Sequence, residues 1–547
     1  MRTPKKGIQT IIRYLNFFTL LCGMLFTQII EAQNYVWAKG EGGVGNDAAF
    51  GVASDNSGNC YVVGNFAGSA DFSGTIYQGR ELYDMFIVKY DAVGNVVWVK
   101  TAGGRGNDQG NAIKLHNNNL YVCGYFEDTA YFENTKIISR GRQDIFLAKY
   151  DLSGNLVWVK NAGGSGSDNV KALDIDNNGN VYITGFYENS IQFGTTTLNS
   201  ANFFNESFYA KYNNNGILQW AKTTTGSSAN QFTGIAFDKN ESVFLTGFFG
   251  GNFTVGNQTI ASQGTSYDIA LAKIDADGNT IWLKKAGSML EDAANAVAAD
   301  NNGNAIITGY FTTTAWFDNN SVTYRGYNDV FTAKYDGNGN NLWVLAGKGQ
   351  ELDIGYAVTT DAVNNIFVTG MFQDNINFND NIVNGIDRDP FIISYSPDGV
   401  IRWITRGGGG NTEVGLGLSV NANNRVFLAG YYLYFCRFGN IELGNANFND
   451  FFVAVYDPPF VSGLNDLNNT QISVYPNPAQ NYFTVEAEAN TNAATEIKVC
   501  SPDGKNVFSS YFQKNVSVNT DGWKQGIYFV YTTTNGLTNC TKVCVVD

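Results

Sequence analysis

Tryptophan marks a period in this chain, and that period limits the fold more than any other feature. Trp37, Trp98, Trp158, Trp220, Trp282, Trp343 and Trp403 are separated by 61, 60, 62, 62, 61 and 60 residues. Each Trp is followed 26 or 27 positions later by a glycine: Gly64, Gly124, Gly185, Gly247, Gly309, Gly370 or Gly430. Eight residues after the glycine stands Phe72, Phe132, Phe193, Phe317, Phe378 or Phe438; the fourth copy departs, with Phe253 only six residues on. A fixed period means that one supersecondary unit is stacked on copies of itself, each copy needing its neighbours to bury its faces.

Within a period the residues predict four short strands. In the first copy these are Phe50 to Asp55, Cys60 to Phe66, Phe86 to Tyr90 and Val96 to Lys100, separated by Asp-x-x-Gly-Asn turns such as Asp91 to Asn95. Gly and Asn accept the left-handed backbone that short hairpin loops require. The composition agrees: 61 Gly, only 8 Pro and 14% aromatic residues suit many short strands with glycine-rich turns. The expected fold class is all-β, a seven-bladed β-propeller of four-stranded blades. The repeat starts on a Trp strand (Tyr35 to Lys39) with no third strand before it, and stops on a third strand (Phe451 to Tyr456) with no Trp strand after it. Each end supplies what the other lacks, so the N-terminal strand is expected to close the ring and remove its open edges. Fourteen residues after each Trp only Gly51, Ala112, Ala172, Gly234, Ala296, Ala357 and Gly417 occur, as expected where seven strands converge on a narrow channel.

The flanking segments have their own character. Lys5, Lys6 and Arg13 precede an apolar run from Tyr14 to Ile30 that ends at Ala32-Gln33, which reads as an export signal over residues 1–33. No later stretch is apolar and long enough to span a bilayer, so no transmembrane segment is expected in the mature protein. The net charge of −14 and the scattered basic residues exclude a nucleic-acid partner. Residues 34–457 make the repeat region and 458–469 a polar linker. Residues 470–547 are expected to form an Ig-like β-sandwich, in which Cys500 could pair only with Cys540 or Cys544.

The unit Trp-x-Lys-x-x-Gly-Gly-x-Gly-x-Asp, then Asp-x-x-Gly-Asn-x-Tyr-Val-x-Gly-x-Phe, then Asp-x-Phe-Ile-x-Lys-Tyr-Asp resembles the bacterial SBBP β-propeller repeat from about Trp37 to Tyr456. The fourth copy departs most, with Thr224-Thr225-Gly226 in place of the double glycine. That resemblance implies a propeller and export, and no activity. In the tail, Tyr475-Pro476-Asn477-Pro478, Gly504-Lys505, Gly526-x-Tyr528 and Lys542 resemble the type A sorting domain of type IX secretion. This implies the type IX machinery as a partner and a secreted or cell-surface protein exported through the periplasm.

Ten residues after each Trp stands Asp47, Asp108, Asp168, Asn230, Asp292, Asp353 or Glu413. One reading is a ring of carboxylates at the channel mouth holding Ca²⁺, with no other cofactor expected. The other is that each side chain accepts backbone N–H bonds in its own glycine-rich crossover. The aspartates before the third strand (Asp84, Asp144, Asp268, Asp329, Asp389, Asp450) read as caps. One histidine, His116, leaves no material for His-based triads or multi-His metal centres. Repeat-breaking aromatics offer a surface for stacking on a sugar or anchoring a protein: Phe203 and Phe204, Trp316, and Tyr431, Tyr432 and Tyr434. The expected function is a non-catalytic binding or adhesion module for a glycan or protein. The alternatives are a carboxylate-based glycan hydrolase or lyase and a structural surface component.

Overall fold

The computed structural model describes residues 35–201, 204–458, 472–487, 495–501, 505–534 and 537–546. The expected export signal and nearly all of the expected linker lie outside them. The chain divides after Pro458 into two compact units. Among the described residues every element is a strand, and the strand ladders are antiparallel.

In the larger unit the first copy of the repeat is a four-stranded sheet: Ala48–Ser54, Cys60–Phe72, Thr75–Tyr90 and Val96–Gly104, paired in that order. The same pairing order recurs in the later copies of the repeat, within larger sheets that the hairpin extensions join. The last comprises Glu413–Val420, Val426–Phe438, Ile441–Tyr456 and, from the other end of the chain, Tyr35–Gly43, with Trp37 opposite Val455. The first strands of the first and last groups also touch. The Ser54 and Ser419 hydroxyls are 2.8 Å apart, and the Asn421 amide donates to the Asp55 carbonyl at 3.2 Å.

The second and third strands run well past the expected Phe66 and Phe86 limits. The reason is the phenylalanine eight residues after the glycine. Phe72, Phe132, Phe378 and Phe438 are fully buried and pin the extension of the hairpin into the core. In the third, fourth and fifth groups the extension is a separate short hairpin, such as Ser190–Phe193 with Thr196–Asn199. In the fourth, Val255 fills the pinning position and Phe253 is buried beside it.

The Trp period has a physical cause in the contact between neighbouring groups. The indole N–H of Trp98 donates to the Leu152 carbonyl at 3.1 Å, in the Asp-x-x-Gly turn of the next group. Trp37, Trp158, Trp220, Trp282 and Trp343 do the same to Ala92, Asn214, Ala276, Gly337 and Pro397. The turn glycine lies against the indole face: a Cβ on Gly154 would come within 3.1 Å of Trp98. Trp403 alone differs. Its N–H is buried without a partner among the described residues, because the next group takes its fourth strand from the N-terminus and has no such turn. The hydrophobic core therefore lies between groups. Phe86 stacks on Phe451 at 4.5 Å, and Val62 packs with Phe427 and Val453. Each such ring contributes roughly 1.5–3 kcal/mol by burial.

The smaller unit is a sandwich of two antiparallel sheets around one core. One sheet holds Ile472–Tyr475, Tyr482–Ala487 and Asn515–Asn519; the other holds Asn506–Phe512, Thr495–Cys500, Gly526–Thr534 and Leu537–Val545. Phe483, Val485, Ile497, Val499, Val530 and Val543 fill the space between them. The one cysteine pairing that the spacing left open in this unit is not made by Cys500 and Cys544. Cys500 and Cys544 are free, and the strand Gly526–Thr534 lies between Thr495–Cys500 and Leu537–Val545. Two strand spacings, about 9–10 Å, separate Cys500 from both Cys540 and Cys544, beyond the reach of a disulfide.

Candidate functional site

The carboxylates ten residues after each Trp are fully buried, and each is held by its own crossover. Asp108 accepts the Gly104 N–H at 2.7 Å, Asp168 that of Gly164 at 2.6 Å and Glu413 that of Gly409 at 3.0 Å, while Asp47 also accepts that of Ala67, in the second strand, at 2.9 Å. They do not converge. Among the described residues no three Asp, Glu, His or Cys side chains come together to hold a cation. Each instead faces the acid that opens the third strand of the preceding group. Asp108 faces Asp84, Asp168 faces Asp144, Asp292 faces Asp268, Asp353 faces Asp329, Glu413 faces Asp389, and Asp47 faces Asp450. Burial first, and then the neighbouring negative charge, pushes Asp47, Asp108 and Asp168 up to about 8. At neutral pH one member of such a pair therefore carries a proton.

The repeat-breaking aromatics are dispersed. Trp316 (51% exposed) sits on the short hairpin of the fifth group and Tyr434 (54%) on the outer bend of the seventh, while Phe204 (49%) belongs to the third. Tyr432 is buried in the core with its ring against Gly40, so it packs and does not present a surface. Phe203 lies outside the described residues. Tyr431 is half-buried beside the first strand of its group, opposite Val414.

Tyr431 leads to an arrangement that reading the sequence did not find. The first strand of every group carries a β-bulge at the same place, thirteen residues after the Trp. The bulged residues are Phe50, Asn111, Lys171, Thr233, Asn295, Tyr356 and Leu416, all half-buried. A bulge re-aims its side chain away from the regular pleat. These first strands approach one another closely: a Cβ on Gly51 would lie 3.2 Å from the Ile113 nitrogen, and one on Gly417 would lie 3.1 Å from the Gly51 Cα. Three bulge side chains stitch neighbours together. Asn111, Thr233 and Asn295 donate to the carbonyls of Val170, Ala294 and Gly355 at 2.6, 2.7 and 2.9 Å.

At the same level, directly after the repeat glycine, stand Asn65, Tyr125, Phe186, Phe248, Tyr310, Met371 and Tyr431, paired with the start of the first strand. Five of the seven are aromatic and half-buried. Tyr356 lies near enough to Tyr310 and Tyr431 to interact electrostatically with both, and Phe248 packs on Tyr267 at 5.1 Å. An amide ladder completes the set. Asn65 donates to Gln109 at 3.1 Å, Gln109 to Asn111 at 2.6 Å and Asn111 to Asn169 at 3.0 Å. The aromatic position was visible as the residue after Gly64, Gly124 and their counterparts; the bulge has no signature in composition.

In the tail, the sorting-motif residues are tied to the terminal strand. Asn477 donates to the Lys542 carbonyl at 3.0 Å and accepts the Cys544 N–H at 2.9 Å. The Tyr475 hydroxyl reaches Glu486 at 2.7 Å, the buried Tyr528 donates to the Lys524 carbonyl at 2.9 Å, and Gly526 pairs with Val545. Pro476 and Pro478 flank Asn477, and Lys505 is exposed; Gly504 lies outside the described residues.

The described residues are thus an all-β array of repeated antiparallel sheets followed by a small separate sandwich. Residues 473–546 match the secretion system C-terminal sorting domain, which indicates export by a type IX system. A 454-residue stretch is 25% identical to an uncharacterized WD repeat-containing protein, L264, of Acanthamoeba polyphaga mimivirus, covering 66% of this chain and 33% of that protein. That similarity fits a repeat β-propeller. A 186-residue stretch is 24% identical to the regulatory protein FlaEY of Caulobacter vibrioides, covering 31% of this chain and 18% of that one. The chain thus spans a third or less of the length of these relatives. Among solved structures, Sqt1 from Chaetomium thermophilum aligns at a TM-score of 0.39 and 9% identity, over 77% of this chain and 100% of that one, a likeness too slight to bear on function. No helix among the described residues is long and apolar enough to cross a membrane.

Proposed function

We propose that residues 34–457 form one seven-bladed propeller of SBBP-type repeats, closed by Tyr35–Gly43, and act as a non-catalytic binding module for a glycan or protein. Residues 1–33 serve as export signal, 458–469 as linker and 470–547 as type IX address, which takes the protein to the cell surface or beyond. The ligand meets the collar of bulge residues and post-glycine aromatics. The observation that carries this reading is divergence within repetition. The small, acidic and Trp positions hold one chemistry in most copies, whereas the bulge position holds Phe, Asn, Lys, Thr, Asn, Tyr and Leu. A scaffold repeats; a recognition surface differs from copy to copy. The buried acid pairs, held by backbone N–H groups, belong to the scaffold in this reading and not to hydrolysis.

The test is binding of the exported protein to glycan and protein arrays, with Tyr310→Ala/Tyr431→Ala as the comparison. Retained signal should fall at least about tenfold in the double variant, since each lost aromatic platform costs on the order of 1 kcal/mol. Undiminished binding would remove the collar from the function. Release of reducing ends, abolished by one acidic substitution, would replace the binding module with a hydrolase.

A further inference from the structure

Lys171 is the one cation among the seven bulge side chains, and it has no anion. Among the described residues no ion pair or hydrogen bond engages its ammonium group, which stands 5.5 Å from the centroid of the Phe186 ring. Burial lowers its pKa, and no neighbouring charge acts on it. The carboxylates closest to it along the chain and in the next loop are engaged elsewhere. Asp174 pairs with Lys114 at 3.4 Å and accepts the Phe237 N–H at 2.8 Å, Glu188 accepts the Ser167 N–H at 3.0 Å, and Asp168 is locked in its crossover facing Asp144. A partly desolvated ammonium without a counter-ion is costly, and an arriving anion removes that cost. The amide ladder from Asn65 to Asn169 ends two residues from Lys171, beside the Phe186 and Tyr125 rings.

Resting on the binding reading above, we infer that Lys171 makes this collar a site for acidic carbohydrate. The sugar's anionic group, carboxylate or sulfate, would accept from the Lys171 ammonium while its ring stacks on Phe186 and its hydroxyls meet the amides. Amides and single aromatic rings at spaced positions match the alternating hydroxyls and apolar faces of a sugar chain, and the lone cation selects an acidic one.

The experiment is titration calorimetry of the full exported chain with oligogalacturonate and a neutral oligosaccharide of equal length, repeated with a sulfated galactan oligomer to separate the two anions. The acidic chains should bind about tenfold or more tightly than the neutral one, because a charge-assisted hydrogen bond outweighs a neutral one by about that factor. Lys171→Met, which keeps the packing of the stem, should bring the acidic chains down to the affinity of the neutral one and so erase the preference; Lys171→Arg should keep most of it. Equal affinity for acidic and neutral chains, or a preference that survives Lys171→Met, overturns this assignment while leaving a glycan-binding collar in place. No binding of any saccharide overturns the assignment together with its glycan premise, while protein-array binding lost in Tyr310→Ala/Tyr431→Ala would leave the binding module standing.

Discussion

Six of the crossovers between groups bury two acids against each other; the fourth buries an acid against an amide. In the fourth, Asn230 replaces the aspartate and faces the region of Glu206. Its Oδ1 accepts from the Ser207 N–H, the Ser207 hydroxyl and the Thr224 hydroxyl at 2.9, 2.9 and 2.7 Å. Among the described residues its Nδ2 and the Glu206 Oε1 are both buried without partners, just as Asp108 Oδ1 and Asp84 Oδ1 are in a two-acid crossover. Two carboxylates in one dry site resist being ionised together, so one keeps its proton to a higher pH than a free carboxyl would. A proton placed between the facing oxygens supplies the missing donor, and at Glu413 and Asp389 the facing Oε1 and Oδ1 are likewise buried without a partner among the described residues. The amide of Asn230 is the permanent form of that protonated acid. The difference between the fourth crossover and the rest shows what each pair requires: one neutral donor and one acceptor.

The largest effect expected from breaking this comparison comes from the glycine between the acids. A Cβ on Gly103 would lie 2.0 Å from Asp84 Oδ1 and 2.7 Å from Asp108 Oδ2, on a backbone at φ +152°. In the fourth crossover the same position is the exposed Thr225. Gly103→Ala should cost about 2–4 kcal/mol, combining overpacking with backbone strain. Thr225→Ala should stay within about 0.5 kcal/mol, as at other exposed sites. Urea midpoints of the two variants make the measurement, and equal shifts would mean that the crossovers are not distinguished by their acids.

A smaller effect, with a sign that depends on pH, follows from turning the fourth crossover into the others. The pair acids have raised folded pKa values: about 8 for Asp47, Asp108, Asp168, Asp353 and Glu413, about 7 for Asp268, and about 6 for Asp84, Asp144, Asp292, Asp329, Asp389 and Asp450. The folded state thus binds more protons than the unfolded chain between about pH 4 and pH 8, so stability falls as pH rises through that window. The turn aspartates Asp91, Asp151, Asp275 and Asp336 are shifted down by hydrogen bonds to the charged form, and their contribution is lost only in strong acid. Maximal thermal stability should therefore lie near pH 5. Asn230→Asp should steepen the alkaline decline, costing about 1–2 kcal/mol more at pH 9 than at pH 5. A thermal-melt series that is flat from pH 5 to 9 would show that the pairs hold no proton.

The parts of this architecture that were legible in the sequence are those fixed by contacts repeating in every copy. The Trp register was readable because each indole meets the same turn of its neighbour, and the small-residue register because first strands touch there. The acids at both positions were visible one by one, but their pairing was not. Asp108 and Asp84 are 24 residues apart, and Asp47 and Asp450 are 403 apart; only the packing of a crossover over the preceding third strand joins them. The bulge escaped for a different reason. It adds one residue without altering composition, and because its side chains vary from copy to copy, with only Asn occurring twice, the search for a period discards the position that carries the difference.

Making a two-acid crossover resemble the fourth gives the smallest change and the sharpest one. Asp108→Asn replaces a protonated carboxyl by an amide of nearly the same shape, which can still accept the Gly104 N–H through Oδ1 and offer N–H toward Asp84. At pH 5, where Asp108 already carries its proton, the variant should lie within about 0.5 kcal/mol of the parent. At pH 9 the parent has lost that proton, and two buried carboxylates repel. The variant has no such proton to lose and should be the more stable by about 1 kcal/mol. Asp108→Ala separates this from simple loss of charge, because it removes the repulsion but also strips Gly104 of its acceptor and should be destabilised at both pH values. If Asp108→Asn were destabilised equally at pH 5 and pH 9, the amide would not be standing in for a protonated acid. A melting temperature that rises on adding Ca²⁺ to the parent but not to the variant would then make the second carboxylate a metal ligand. The fourth crossover, with its single carboxylate, would be the one without a metal.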